Sequence, residues 1–374
     1  MRRPRFGRAF PELALVLLAA LLAACGPATS TAPTAAPTAM PTATPAAPTA
    51  VPTAAPTAEV LSGELVIYSG RSEPLIQPVI EQFKRQHPSI NIRLKAGANN
   101  ELAAGLLEER TNPQADLFIT TDMLTVARLG KEGVFAPYQP QGADKIPVAF
   151  RDPEGMWISF TARARVIMYH ADLVKPEEAP TSVFDLTDPK WKGKVATAGS
   201  TNGSMQAHIA ALLELQGTEA TERWLRGLVA NDTTFFGGHT EVRKAVGAGE
   251  FALGLVNHYY YHLQRAEPTD NNVGVVYPDQ GPDQIGTVVN TTAGGIVQGG
   301  PNQAAAKAFM DFLLTPEAQR LFAELNYEYP LLEGIALAEG VKPLNEFRIA
   351  EVAMRDLYDR LDEAQALIQE VGIP

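Results

Sequence analysis

Strand-like and helix-like spacings of apolar residues alternate along the chain from residue 65 onward, and this alternation restricts the fold more than any other feature. An unbroken apolar run is typical of a buried strand, whereas apolar residues at i, i+3, i+4 and i+7 indicate a helix. The pattern predicts strands at 65–68, 90–94 and 115–120 and helices through 76–83, 102–107 and 126–129. This order is typical of a parallel α/β sheet, whose ligands bind at the carboxyl ends of the strands.

The second half repeats this order. It contains strand patterns at 195–198, 252–257 and 275–277, helical patterns through 209–213 and 219–229, and a run at 287–297 that is expected to cross back to the first half. The part from residue 62 has about 310 residues, which is more than one hydrophobic core usually supports. We therefore predict two lobes.

We predict an α/β fold in which crossing hinge strands join the lobes and the ligand lies in the cleft between them. Lobe 1 comprises residues 62–162 and 290–340, and lobe 2 comprises residues 163–289 and 341–374, including a C-terminal helix near 344–371. Closure of such a hinge would be part of ligand binding.

The N-terminus has the pattern of an export signal. Basic residues precede an apolar run at 13–22, which is too short to span a bilayer. Small residues then lead to Cys25, as in a bacterial lipobox. We predict a signal peptide at 1–24 and lipidation of Cys25, with a plain secretory signal and an incidental free cysteine as the alternative.

Residues 25–61 are predicted to form a tether. From 26 to 57 the chain is rich in Pro, Thr and Ala, has no charged residue and repeats Ala-Pro-Thr-Ala in near copies. Such a segment cannot build a core and favours an extended spacer, reaching on the order of 100 Å. The chain is therefore expected to work outside the cytoplasm, held at a membrane by its lipid.

Composition excludes several classes of site and partner. A single cysteine cannot form an intramolecular disulfide or a site with several thiolates. The formal net charge of -11 argues against binding to nucleic acid. No Gly-x-Ser-x-Gly, His-Glu-x-x-His or phosphate-loop motif is present, so an enzyme is not expected and an exported hydrolase remains a remote alternative.

Six stretches of the chain resemble the ferric-iron-binding branch of the extracellular solute-binding proteins of ABC importers, with the type II periplasmic-binding-protein fold. They are VIYSGRSEP at 66–74, ADLF at 115–118, ARARVI at 162–167, DPKWKGKV at 188–195, NHYY at 257–260 and YEYP at 327–330. The resemblance implies Fe³⁺ as cargo, an ABC permease as partner, and a monomer. A binding protein of the same fold for a small organic anion or a polyamine is the alternative.

The tyrosines at 259–261 are the central candidates for the metal site. Fe³⁺ prefers anionic oxygen donors, and adjacent phenolates can supply them. The three residues follow an apolar run at a strand end, where ordinary packing of aromatic rings is the alternative. The resemblance implies that Tyr259 and Tyr260 are the ligands and that Tyr261 packs. His239 and His258 are candidates by residue type only.

The remaining ligand positions differ from the family pattern. Many members have a His after the first strand, where this chain has Ser72 and Glu73. Glu73 is either a carboxylate ligand or an ordinary helix start before Pro74.

A site short of protein ligands implies a synergistic anion, carbonate or phosphate in this family. Backbone N–H groups before a predicted helix favour an anion at 202–204, although a plain helix cap is the alternative. Arg163 is equally a candidate for a structural ion pair. The candidate anion or supporting residues are Asn202, Gly203, Ser204, Asn257, Arg71, Arg163 and Asp122.

Overall fold

The computed structural model describes residues 61–374. The predicted signal peptide, Cys25 and all but the last residue of the tether lie outside these residues and stay predictions. Within 61–374, no helix combines the length and the apolar character needed to cross a membrane.

The first part of the described chain alternates strands and helices as the spacing predicts. The apolar positions of the first helix, Ile76, Val79, Ile80 and Phe83, are all buried. Pro74 lies in the first turn, where a missing N–H costs nothing, and Pro78 lies further inside the helix. The elements are β1 (Gly63–Ser69), α1 (Glu73–Gln86), β2 (Ile90–Ala96), α2 (Asn99–Glu108), β3 (Leu117–Thr120), α3 (Met123–Lys131), β4 (Phe135–Ala136) and β5 (Ile158–His170).

The second part has the same character and ends in helices. Its elements are β6 (Val195–Ala198), α4 (Gly203–Gln216), α5 (Thr218–Ala230), β7 (Thr234–Phe236), α6 (His239–Gly247), β8 (Leu253–Asn257), α7 (His258–Arg265), β9 (Val273–Val276), β10 (Val289–Val297), α8 (Gln303–Leu313), α9 (Pro316–Asn326), β11 (Tyr329–Pro330) and α10 (Arg360–Val371).

The strands pair in the order β2-β1-β3-β10-β5-β8-β6-β7. At one end β2, β1 and β3 are parallel, and at the other end β8, β6 and β7 are parallel. Between these two groups lie β10 and β5, which are antiparallel to each other and to the strands beside them. The predicted crossing of the 287–297 strand is confirmed, because β10 pairs with both β3 and β5.

Strand β5 changes partners along its length. Residues up to Ala164 pair with β10, whereas Arg165 and the residues after it pair with β8 and β9. The change lies beside the predicted lobe boundary at 162/163; the exact lobe boundaries stay predictions.

Alternate residues of β1 enter different apolar clusters. Leu65 and Ile67 pack in one cluster, and Val66 and Tyr68 pack in another. The strand is therefore covered on both faces, as expected of a parallel sheet with helical crossovers.

The predicted C-terminal helix near 344–371 is wrong in its start. The helix covers only Arg360–Val371, and short 3-10 turns at Leu344–Glu346 and Met354–Asp356 precede it. Met354 and Leu357 are each buried, in a segment that packs against α3. These separate tertiary contacts decide the path of the segment, which a helical pattern alone cannot reveal.

The buried carboxylate of Asp116 connects β1 to the start of α8. One oxygen accepts a hydrogen bond from Val66 N at 2.8 Å and the other accepts one from the backbone N–H of Asn302. In Asp116→Asn one of these donors would face an amide NH₂. We expect the free energy of unfolding to fall by about 2 kcal/mol, measured by urea unfolding. The exposed Asp144→Asn is the control, and equal midpoints for the two variants would contradict the role of Asp116.

Candidate functional site

A cavity of about 430 Å³ lies where the carboxyl ends of both parallel strand groups face each other. Loops after β1, β2 and β3 form one wall, and the N-terminal turns of α4, α6 and α7 form the other. This is the position that the strand and helix pattern predicts. The lining residues used below are Arg71, Ser72, Asn99, Thr121, Asn202, Gly203, Ser204, His239, Glu241, Tyr259 and Tyr260.

Two adjacent tyrosines form part of the second wall. They do not continue the strand, because β8 ends at Asn257 and α7 begins at the next residue, which puts both rings on the first helical turn. Tyr259 is 3% exposed and Tyr260 is 8% exposed, and their ring centroids are 4.3 Å apart. Tyr261 is half-buried, packs against an apolar cluster and does not line the cavity.

Three buried guanidinium groups interact electrostatically with this pair: Arg71, Arg163 and Arg165. The carboxylate of Glu328 pairs with Arg71 and also accepts a hydrogen bond from Thr161. Among the described residues, Arg163 and Arg165 form no ion pair, and Nε and Nη1 of Arg163 have no hydrogen-bond partner. The buried charge around the tyrosines is therefore positive.

The environment of Tyr260 holds its phenol neutral in the absence of a cation. Burial and the neighbouring Tyr259 raise the pKa of Tyr260 well above its ordinary value of 10, while the charges of Arg163 and Arg71 oppose this rise. A phenolate here needs a bound cation that compensates for the loss of the proton. A metal ion that bound Tyr260 as a phenolate would therefore release its proton.

Arg165 lies behind the cavity and was not among the residues predicted from the sequence. Its Nη1 lies 2.7 Å from His239 Nε2 and donates to Asn257 Oδ1 at 3.4 Å. Burial without a carboxylate partner lowers the pKa of Arg165 to about 9. A signal was present, because Arg165 and Arg163 are two residues apart in β5 and side chains at this spacing share a face of the strand.

The two candidate histidines differ. His239 lines the cavity, and burial together with the charge of Arg165 lowers its pKa well below 6.5. Because arginine only donates, His239 Nε2 accepts from Arg165, which leaves Nδ1 to carry the proton of the neutral ring. His258 does not line the cavity; its nitrogens contact Ala164 N at 3.2 Å and Tyr327 O at 2.8 Å.

The predicted anion loop lines the cavity at the start of α4. Asn202 caps the helix by accepting from Met205 N at 3.1 Å. Ser204 Oγ donates to Thr121 O and lies 3.4 Å from Asn257 Nδ2. Asn257 does not line the cavity, and its side-chain amide donates to Ser204 Oγ.

Asp122 does not line the cavity. It caps α3 by accepting from Thr125 N at 2.7 Å and also accepts from Thr120 Oγ1 and Asn99 Nδ2. Burial raises the pKa of Asp122, against the effect of these hydrogen bonds.

Carboxylates are scarce at the cavity. Glu73 is exposed, begins α1 and does not line it. Glu241 lines the cavity with an exposed side chain in the first turn of α6; the sequence pattern gave little reason to place it there, because the strand before it is only three residues long. Residues 61–374 contain no group of three or more His, Cys, Asp and Glu residues placed to hold a metal ion.

Residues 112–353 match the model of a family described as bacterial extracellular solute-binding protein. The chain belongs to this family. A relative in Synechocystis sp., Iron uptake protein A1, is 35% identical over 317 residues, which cover 83% of this chain and 87% of that protein.

Solved structures confirm the two-lobed fold predicted for this solute-binding protein. Iron-bound HitA from Pseudomonas aeruginosa has a TM-score of 0.77 and 27% identity, with 83% of this chain and 99% of that chain covered. A Trichodesmium protein in complex with iron and citrate ligands has a TM-score of 0.69 and 32% identity, with 83% and 100% covered.

The buried pair of Arg71 and Glu328 gives a pH-dependent contribution to stability. Burial alone would raise the pKa of Glu328, but the charge and hydrogen bonds of Arg71 outweigh it, and the pKa lies below 4.5. The pair therefore stabilises the folded state above the pKa of the unfolded state, and this contribution is lost as pH falls through the pKa of the folded state.

We expect Arg71→Gln to lower the free energy of unfolding at pH 7 by about 3–5 kcal/mol, because it leaves Glu328 buried and unpaired. The double variant with Glu328→Gln should lose less than the single variant, and its stability should depend less on pH between 7 and 3. Urea unfolding measures both effects. In the exposed pair of Arg93 and Glu64, Arg93→Gln should cost under about 1 kcal/mol. A cost for Arg71→Gln as small as this would contradict the role of the buried pair.

Proposed function

We propose that this solute-binding protein captures ferric iron in the cavity and delivers it to the permease of an ABC importer. The observation that carries the proposal is the pair of adjacent buried tyrosines, Tyr259 and Tyr260, beside three buried arginines. Fe³⁺ prefers anionic oxygen, and two phenolates formed on binding would meet its charge and that of the guanidinium groups. Relatives named for iron uptake and solved with iron support this choice.

The balance of charge supports an anion that arrives with the metal. Two phenolates and the Glu328 carboxylate would offset the three guanidinium groups, which leaves the three charges of Fe³⁺ to be met from outside the buried set. We propose carbonate or phosphate for this place, held by Asn202, Gly203, Ser204 and Arg71. The citrate in the Trichodesmium relative supports a carboxylate anion as well.

The other candidate residues would have indirect roles or none. Arg163 and Asn257 would act from behind the cavity wall, and Asp122 would act through Asn99. The exposure of Glu73 supports the helix-start interpretation. Glu241 takes its place as the candidate carboxylate ligand because it lines the cavity.

A small organic anion is the second candidate cargo, favoured by a cavity of about 430 Å³ beside unpaired guanidinium groups. A polyamine is disfavoured, because its ammonium groups would face those same charges.

The tyrosine assignment predicts a rank order of iron binding. Tyr259→Phe and Tyr260→Phe each remove an anionic ligand and keep the ring, so the affinity for iron added as ferric citrate should fall by at least about 100-fold, or about 2.7 kcal/mol. The visible phenolate-to-iron absorption should fall with it. Titration followed by absorption and by metal analysis measures both.

Tyr261→Phe is the matched control and should bind like the wild type, and so should Glu73→Gln. Glu241→Gln should weaken binding if this carboxylate completes the metal sphere. Wild-type binding by both Tyr259→Phe and Tyr260→Phe would overturn the ferric proposal. Tight binding of citrate without metal would then favour the organic anion.

We also propose that the protein is a monomer, anchored through lipid on Cys25 and separated from the membrane by the tether. Cys25→Ala should convert a membrane-associated protein into a soluble exported one with unchanged iron affinity, because the lipid is the anchor. Fractionation of membranes and medium measures this. Continued need for detergent in the variant would contradict the anchor.

A further inference from the structure

We propose that the contact of Gly203 with Asn99 and Asp122 sets how far the two halves of the site close on their cargo. This inference rests on the proposed function, in which the cavity holds cargo between the two halves. The contact joins the first residue of α4 in one half to the first residue of α2 and the N-cap residue of α3 in the other.

The surface that Gly203 meets is rigid and internally bonded. Asn99 is 3% exposed and Asp122 is fully buried. Asn99 Nδ2 donates to Asp122 Oδ2 at 2.5 Å and to Thr121 Oγ1 at 2.8 Å. Two hydrogen bonds from Thr125 hold the same carboxylate from the other side. The side chains therefore cannot move aside without breaking several bonds.

Only glycine allows this approach. A Cβ at residue 203 would lie 2.2 Å from Asn99 Nδ2 and 2.7 Å from Asp122 Oδ2, both well inside normal contact distance. The backbone of Gly203 has ordinary helical geometry, so alanine would be favoured there by the helix itself. Alanine also keeps the backbone N–H that residue 203 offers to the proposed anion, so a loss of closure in Gly203→Ala would point to the contact across the cavity.

Electrostatics favours the same contact. The carboxylate of Asp122 faces the N-terminal turn of α4, where backbone N–H groups and the helix dipole attract negative charge. Next to it, Ser204 Oγ donates to Thr121 O at 3.4 Å. In the part of the chain that the structure describes, only β5 and β10 connect the two parallel strand groups within the sheet. The contacts at the cavity wall therefore add a separate restraint on the angle between the halves.

Loss of this contact would lower the fraction of the protein that can adopt the closed form. A cargo that touches both walls binds the closed form better, and its apparent affinity is reduced by the fraction of protein that cannot close. We expect Gly203→Ala to bind ferric citrate at least about 10-fold more weakly, mainly through faster dissociation, without a loss of thermal stability.

The experiment measures closure directly. In a Cys25→Ala background, which removes the only cysteine, spin labels at Ala104→Cys in α2 and Glu219→Cys in α5 report the distance between the halves. We expect the distance with ferric citrate to be longer in Gly203→Ala than in the wild type. The matched control is Gly105→Ala in α2, where the added Cβ meets nothing within 4 Å. Adding Asn99→Ala to Gly203→Ala removes the nearest clash and should restore part of the closure and of the affinity.

The outcomes separate the two proposals. No binding of ferric citrate by the wild type would count against the ferric function, and the labels would then compare the proteins without cargo, where Gly203→Ala should still be the more open. Binding by the wild type together with equal distances and affinities in Gly203→Ala and Gly105→Ala would overturn the closure contact.

Discussion

The arrangement of this molecule depends on one long strand, β5, that belongs to both halves of the molecule. The N-terminal part of the strand pairs with β10, and its C-terminal part pairs with β8 and β9. At the point of change it carries Arg163 and Arg165, which are both buried. The strand that joins the halves therefore also brings positive charge behind the cavity wall.

Burial of that charge explains the character of the site. Buried guanidinium groups without carboxylates are costly, and among the described residues only Glu328 pairs with one of the three. Phenols that become phenolates when a metal binds would balance this charge at the moment of capture. Under the proposed function, protonation of the tyrosines would in turn favour release of the metal.

The sequence predicted much of this molecule from local patterns. Apolar spacing placed β1, α1, β6 and α4, and the crossing of β10 between the two parts was predicted from their repeated pattern. The sequence pattern gave the wrong start for α10. Met354 and Leu357 are buried by separate contacts in a segment that packs against α3, and they do not lie on one face of a helix.

Within the site, the sequence identified Tyr259 and Tyr260 but placed them at a strand end, because adjacent rings do not reveal where a strand gives way to a helix.

By itself the sequence determined the class of fold, the family and the residue types available for binding, since each depends on periodicity or on short local motifs. Tertiary structure alone decided which of those residues meet. It brought Glu241 and His239 to the cavity, left Glu73 at the surface, and set Gly203 against Asn99. Gly203 and Asn99 are far apart in the chain, and the distance between them depends on how the two strand groups are held by β5 and β10, which no local pattern encodes.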